Sequence, residues 1–515
     1  MAEYTESDKK QDAHILHSMG YAQELERRMS SFSNFAISFS IICILSGGIN
    51  SLAQATSGAG GAAIGIGWPL GCLISGVFAL SMAQISSAYP TAGGLYHWGS
   101  ILGNRFTGWL TAWLNLLGLI TVLGAISGSI AGWFGIAVDT NTSAGFANQI
   151  IFVAVITGLQ ALINHFGIKL TAKLTDMSGY LIFAAAIALT IVCLIGVKSW
   201  DISRIWTFTN YSGTPEGDSS VWPKMDNIWY VFALGLLLPI YTITGYDASA
   251  HTSEEPVKAS SSVPRGMVSS VWWSSLFGYI MLLAFLLAIP DMNEASKQGW
   301  NVFFWAMDSI TNPVVANILY VAIFISQLLC GLATVTSASR MIYAFSRDGG
   351  LPFSKSLAGV SPKFRPPAVA IWTAAILAVL FVWGASLVTL AGSSAYTIVV
   401  SCAVIFLFLS FTVPIVLGIK AIGTAKWPKM GPWNMGIGTY KLVSVLVVVA
   451  MAIIFIIGVQ PPNEWALYIT IGFLVLTAIV WFAFEKRRFQ GPPIGDMIAK
   501  RQADIAAAER AVGEV

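Results

Sequence analysis

Two stretches of this chain place glycine and hydroxyl groups where an unbroken apolar helix would be expected: Ser46-Gly47-Gly48-Ile49-Asn50 and Thr242-Ile243-Thr244-Gly245-Tyr246-Asp247-Ala248-Ser249. Glycine weakens a helix interior. A helix broken there leaves N–H groups at the start of one half and carbonyls at the end of the other. N–H groups at a helix start favour an anion such as a carboxylate. Carbonyls at a helix end suit an ammonium or a cation. A zwitterionic amino acid fits both at once. Glycine in a membrane helix also serves close packing, and a single such stretch would be read that way. Two of them, at corresponding positions, favour a binding site.

The elements that must hold these stretches are membrane spans. The first break lies within a run of 76 residues, Met29 to Asn104, that contains no Asp, Glu, Lys or Arg. Over the whole chain of 515 residues, 56% are hydrophobic and 10% charged, with a mean hydropathy of +0.71. Soluble domains carry roughly 25% charged residues, so the chain is an all-α polytopic membrane protein. At about 20 apolar residues per span, twelve spans are expected near 32–57, 64–88, 107–136, 148–166, 175–197, 226–253, 266–289, 313–343, 367–390, 394–419, 441–459 and 465–484. Residues 1–31 and 485–515 are expected as tails. No cleavable leader is expected, because the first 30 or so residues are polar and charged. The five cysteines, Cys43, Cys72, Cys193, Cys330 and Cys402, lie in apolar stretches and read as buried hydrophobes.

Twelve spans put both termini on one side. Of the 28 Lys and Arg residues, 24 fall on that side; Lys198, Arg204, Lys224 and Lys297 fall on the other. The positive-inside rule then predicts cytoplasmic termini. The broken spans are the first and the sixth, five apart and opposite in direction. That is the pattern of a five-plus-five inverted repeat with its site at the repeat interface.

At these residues the sequence resembles the amino acid–polyamine–organocation transporter superfamily, most closely its amino acid/choline/GABA permease branch. Ser46-Gly47-Gly48-Ile49 is similar to the superfamily's break in span one. Ser87-Ala88-Tyr89-Pro90-Thr91-Ala92-Gly93-Gly94-Leu95-Tyr96-His97-Trp98 is similar to its loop between spans two and three. Gly245-Tyr246-Asp247-Ala248-Ser249 with Glu254-Glu255 resembles its sixth span, and Ser339-Arg340 through Leu351-Pro352 its signature after span eight. Before span one, Gly20-Tyr21-Ala22-Gln23-Glu24-Leu25-Glu26-Arg27-Arg28 is similar to the GABA/choline branch. The resemblance implies a LeuT-like inverted-repeat core with two extra C-terminal spans, and alternating access. It implies that Ser46, Gly47 and Gly48, followed by Ile49 and Asn50, meet the substrate carboxylate. Carbonyls around Tyr241, Thr242 and Ile243, with Thr244, Gly245 and Tyr246 beside them, would meet the amino group. Tyr241 or Tyr246 would close the site as an aromatic gate.

Asp247 admits two readings: a solvated helix end, by its distance from Asp226, or an intramembrane carboxylate beside the break, coupling protons or pairing a cation. Glu254 and Glu255 read as a gate or a solvated face. His251 reads as a core or interface histidine, although it could titrate near neutral pH. His97 and His165 fall in loops, and Arg340 and Arg347 anchor the end of span eight. Some relatives carry a lysine in span five in place of sodium; Ile182 lies roughly there in this chain. Thr334, Thr336 and Ser337 offer hydroxyls for sodium or for their own helix carbonyls. Sodium symport, proton symport and exchange are all open.

No cofactor and no bound metal are expected, only a co-transported proton or sodium ion. The expected partners are a small zwitterionic or cationic amine and the lipid bilayer, with no nucleic acid. A channel would need a repeated filter sequence. An enzyme would need a nucleophile–base or metal constellation, and an ATPase a P-loop; the sequence shows none of these. The expectation is a permease that imports an amino acid, or a GABA-, choline- or polyamine-like amine, across the plasma membrane.

Overall fold

The computed structural model describes residues 6–133, 143–217, 221–361, 365–388, 395–493, 498 and 500–512. The expected end of the third span (134–136), the end of the ninth (389–390), the first residue of the tenth (394), Lys363 and parts of both tails lie outside the described residues.

Among the described residues, eleven helices are long and apolar enough to cross a membrane. They are Ser31–Thr56, Gly61–Ala88, Arg105–Ala131, Asn148–His165, Ile168–Gly196, Ala259–Ala288, Pro313–Arg347, Ala368–Ser386, Ile398–Ala421, Ile437–Val459 and Glu464–Arg488. The expected sixth span does not reach that length as one helix. It runs as Ile228–Gly235 and Leu237–Thr242, loses helical form at Ile243–Asp247, and resumes at Ala248–His251. The spans are named below in the order of their expectation, with this broken segment as the sixth.

Local chemistry sets several ends. Ser30 caps the first span by accepting from the Ser33 amide, and Asn227 caps the sixth through the Trp229 and Tyr230 amides. Asn312 caps the eighth, where Pro313 occupies the first turn. The eighth span has 35 residues. At 1.5 Å per residue it is longer than a hydrocarbon core of about 30 Å, and its last turns carry Arg340 and Arg347.

The packing repeats itself. Span one packs on seven, and six on two; three packs on ten, and eight on five. Spans two and seven, three and eight, and four and nine also pack against one another. Each contact has a counterpart under exchange of the first five spans for the second five. Residues 6–29 do not hang free. Leu16, Tyr21, Leu25 and Met29 are buried, and His17 Nε2 meets Glu509 Oε1 of the C-terminal helix Gln502–Val512 at 2.7 Å. Both ends of the chain thus lie on one face, called here the terminal side.

Candidate functional site: the crossing of the two breaks

The first span breaks earlier than its glycines suggest. Helix Ser31–Ile42 ends at Cys43, and Gly47–Asn50 is already helical. The turn spans Cys43–Ser46 rather than Ser46–Asn50. Cys43 takes φ +26°, sparse territory for any residue with a side chain. Its carbonyl accepts from the amides of Ser46 (2.8 Å) and Gly47 (3.0 Å), and the Ile44 carbonyl from Gly48 (3.1 Å). The amides without a backbone acceptor at this turn are those of Ile44 and Leu45.

The glycines serve the crossing. A Cβ on Gly47 would lie 2.8 Å from Thr242 Oγ1 and 2.9 Å from Thr242 Cα. A Cβ on Gly245, at φ +90°, would lie 2.3 Å from Ile41 Cγ2. Beside each break, therefore, a glycine of one span is pressed against the other span. In the sixth span the Ile243 amide still reaches the Pro239 carbonyl at 2.8 Å, whereas those of Thr244, Gly245 and Tyr246 have no backbone acceptor. Below the crossing, the two inner half-helices are stitched together. Ser38 Oγ donates to the Tyr246 carbonyl (2.8 Å) and accepts from the Ser249 amide (2.9 Å). Asn34 Nδ2 donates to the Ser249 carbonyl (3.1 Å), and Ser249 Oγ donates to the Asn34 carbonyl (2.8 Å).

A cavity of about 10 Å³ sits at the crossing, lined by Ile41, Ile42, Ser46, Gly47, Val122, Ile126, Tyr241, Thr242, Thr244 and Cys330. That is room for about one water; an amino acid enters only if the walls separate. Five of the expected contact residues, Ser46, Gly47, Tyr241, Thr242 and Thr244, line it. Gly48 does not: a Cβ there would touch only Leu282 and Met281 of span seven, at 3.8–3.9 Å. Ile49, Asn50, Ile243, Gly245 and Tyr246 are also absent from the wall. The apolar wall from span three and Cys330 from span eight were not foreseen, since nothing in a continuous apolar helix marks which residues face a cavity. Tyr246 is fully buried, its ring 5.4 Å from that of Phe411.

On the terminal side of the crossing lies Asp247, with no exposed surface. The solvated-end reading fails because the helix stops at Thr242, and the turn carries Asp247 in against spans three and ten. Its Oδ2 accepts from Asn115 Nδ2 at 3.0 Å and faces His251 Nε2 at 3.1 Å. Asn115 Nδ2 also reaches Ser410 Oγ at 3.3 Å. Asp247 Oδ1, His251 Nδ1, Asn115 Oδ1 and the Tyr246 hydroxyl are buried without a hydrogen-bond partner. Four such atoms in one cluster are unusual, because buried polar groups are normally paired.

Further toward the terminal side, Glu254 and Glu255 are buried rather than solvated. Arg347 holds Glu254 in a two-pronged pair (2.9 and 3.1 Å), and Arg340 Nε meets Glu255 Oε1 at 2.8 Å. The pre-span segment covers this layer: Arg27 Nη1 donates to the Pro256 carbonyl at 2.6 Å and Gln23 Nε2 to the Glu254 carbonyl at 2.9 Å. Tyr21 and Tyr96 both donate to Asp348 Oδ2, at 2.6 and 2.9 Å. His97 lies on the connecting helix Gly94–Leu102, and burial lowers its pKa to about 3. On the opposite side of the cavity, Asn50 receives the Trp133 indole N–H at 2.8 Å and donates to Gln327 Oε1 at 3.0 Å.

The hydroxyls considered for sodium divide. Thr334 Oγ1 donates to its own helix carbonyl at Cys330 (2.9 Å), and Thr336 Oγ1 to Asn164 Oδ1 (2.7 Å). Ser337 Oγ is buried without a partner.

A many-spanned helical protein whose two broken spans cross at a small cavity, with a hydrogen-bonded layer on each side, belongs to the class of alternating-access membrane transporters. Comparison with known proteins narrows the class: the amino acid permease family model matches residues 29–484, and the chain belongs to that family. It is similar to the amino-acid permease BAT1 of Arabidopsis thaliana, 31% identical over 507 residues covering 93% of this chain and 95% of the relative. A rice BAT1 homolog is 30% identical, covering 93% and 94%. The GABA-specific permease of Saccharomyces cerevisiae is 26% identical over 524 residues, covering 93% and 86%.

Proposed function

We propose that the protein is a secondary active transporter that imports a neutral, zwitterionic amino acid across the plasma membrane, with its termini in the cytoplasm and with proton coupling. The observation that carries the substrate class is the cavity wall. It combines polar break residues with Ile41, Ile42, Val122 and Ile126 and has no charged side chain. A substrate with net charge would enter uncompensated, which is costly in a buried site; a zwitterion divides its two charges between the two breaks. The candidate backbone donors are the Ile44 and Leu45 amides, with the Ser46 hydroxyl. The candidate acceptors are the Thr242 and Ile243 carbonyls, which take no backbone hydrogen bond.

The proton reading is supported by Asp247. An intramembrane carboxylate is expensive and functional by default. This one faces His251, with Tyr246 beside it and the Arg340–Glu255 pair and His97 on neighbouring elements. Thr334, by contrast, spends its hydroxyl on a helix carbonyl. The likeness to a GABA-specific permease favours a second reading, an ω-amino acid such as GABA, which is also a zwitterion. The test is uptake of radiolabelled neutral, cationic, anionic and ω-amino acids into proteoliposomes under imposed proton or sodium gradients. Saturable, proton-driven uptake of a neutral member is expected. Uptake restricted to charged substrates, or driven only by sodium, would refute the reading.

A further inference from the structure

Two thiols meet where the first span turns. Cys43 is the residue at φ +26° on which the turn is built, and Cys330 belongs to the eighth span and lines the cavity. Their contacts cross. Cys43 Sγ approaches the Ser326 carbonyl at 3.9 Å, one turn before Cys330, and Cys330 Sγ donates to the Ile41 carbonyl at 3.3 Å, two residues before Cys43. The crossed contacts seat the two thiols at one seam between spans one and eight, and both residues are essentially without exposed surface. Neither is used by the substrate chemistry proposed above.

Two facing thiols with an uncharged surround define what they can bind. Thiolates select soft metal ions. Among the described residues no group of three or more His, Cys, Asp or Glu side chains is placed to share a metal, so an ion that needs four ligands, such as zinc, finds only two. A monovalent ion on two thiolates would leave a net charge buried; a divalent ion gives a neutral complex. We infer that Cys43 and Cys330 form a two-coordinate site for a divalent soft metal ion, represented by Hg(II), that fastens the turn of span one to span eight. Two S–H bonds break, two S–Hg bonds form and two protons leave, with no change of oxidation state. The ion enters when the seam between the two spans opens, and once bound it holds the seam. The effect on uptake rests on the transporter reading; the binding does not.

The test uses the full chain with Cys72, Cys193 and Cys402 replaced by Ala, so that only this pair remains. Intact-protein mass spectrometry should show one mercury atom gained and two protons lost per chain. Thiol titration should show two thiols protected per ion, and zinc at the same concentration should not be retained. Adding Cys43→Ser or Cys330→Ser should weaken retention against a competing small thiol by about 10²–10⁴-fold, the loss of a second linked contact. Two ions per chain, one thiol protected per ion, or equal retention by the single-thiol variants would overturn the site. The thiol count decides the matter on the pair-only protein even if a serine variant does not fold. In proteoliposomes mercuric ion should block uptake and a dithiol should restore it. One ion bound across both thiols with uptake unchanged would refute the locking role. The same binding in a protein that transports no amino acid would count against the transporter reading and leave the site standing.

Discussion

Gly47→Ala and Gly48→Ala add the same methyl group at adjacent positions, and the crossing predicts opposite outcomes. At position 47 the new Cβ would stand 2.8, 2.9 and 3.0 Å from Thr242 Oγ1, Cα and Cβ. Carbon atoms prefer separations of about 3.5–4.0 Å, and the obstacle includes the Thr242 Cα, which no side-chain rotation removes. Overpacking of this kind costs about 1–3 kcal/mol, against a helix-propensity gain of about 0.5–1 kcal/mol from replacing glycine. A net penalty of about 1–2 kcal/mol falls on the state in which the breaks touch and is relieved when they part. At 1.4 kcal/mol per tenfold, 2 kcal/mol removes roughly 25-fold of that state's population. At position 48 the new Cβ meets only Leu282 and Met281, at 3.8–3.9 Å, so the propensity gain stands alone. Initial uptake rates in proteoliposomes, normalised to monodisperse protein, read the difference. Gly47→Ala should lose about 5- to 25-fold in rate while remaining folded, on the scale of the penalty above. Gly48→Ala should transport within about twofold of the parent and unfold at the same or a higher temperature. Equal damage from both, or parental transport by Gly47→Ala, would refute the crossing as the reason for the first glycine.

Other perturbations probe the layers around the crossing. Asp247→Asn keeps the shape of the side chain and should abolish uptake driven by an imposed proton gradient while sparing substrate exchange; counterflow assays at several pH values separate the two. Glu255→Ala strips Arg340 of its buried partner, and such truncations cost about 3–5 kcal/mol. Thermal unfolding should show the loss, and the Glu255→Leu/Arg340→Met pair should recover most of it. His97, with its pKa lowered to about 3 by burial, refuses a proton that the unfolded chain accepts below about pH 6.5. Stability should therefore fall as pH drops from 6.5 toward 3, by roughly 2 kcal/mol between pH 6.5 and 5. Unfolding midpoints of His97→Gln should be flatter over that window.

The architecture was legible in the sequence because its signals are long. Charge-free runs, Lys/Arg asymmetry and two interrupted spans each draw on many residues. The site was legible only in outline. Ser46-Gly47-Gly48 pointed at the break, yet the chain turns three residues earlier at Cys43, a non-glycine residue held at positive φ by its surroundings, which no local pattern announces. The glycines mark close approach, and only one of the two adjacent ones approaches. Asp247 left two readings because helix arithmetic assumes a continuous helix, and the turn after Thr242 moves it out of register. Asn34, Ser38, Asn115 and Val122 gave no signal. Their roles depend on which face of a uniformly apolar helix looks inward, and that is decided by neighbours distant in sequence.

The stitches at Asn34 and Ser38 have a mechanical consequence. Two broken helices would ordinarily supply four half-helices free to move, but four hydrogen bonds fuse the two inner halves into a single lever. Three moving parts are left, with pivots at Cys43 and Gly245. The outer halves can swing separately on the two pivots, whereas any inward movement must tilt both inner halves together and drag the pre-span segment pinned to Pro256. Opening away from the terminal side can then move one half-helix at a time, whereas opening on the terminal side is a concerted motion of both inner halves.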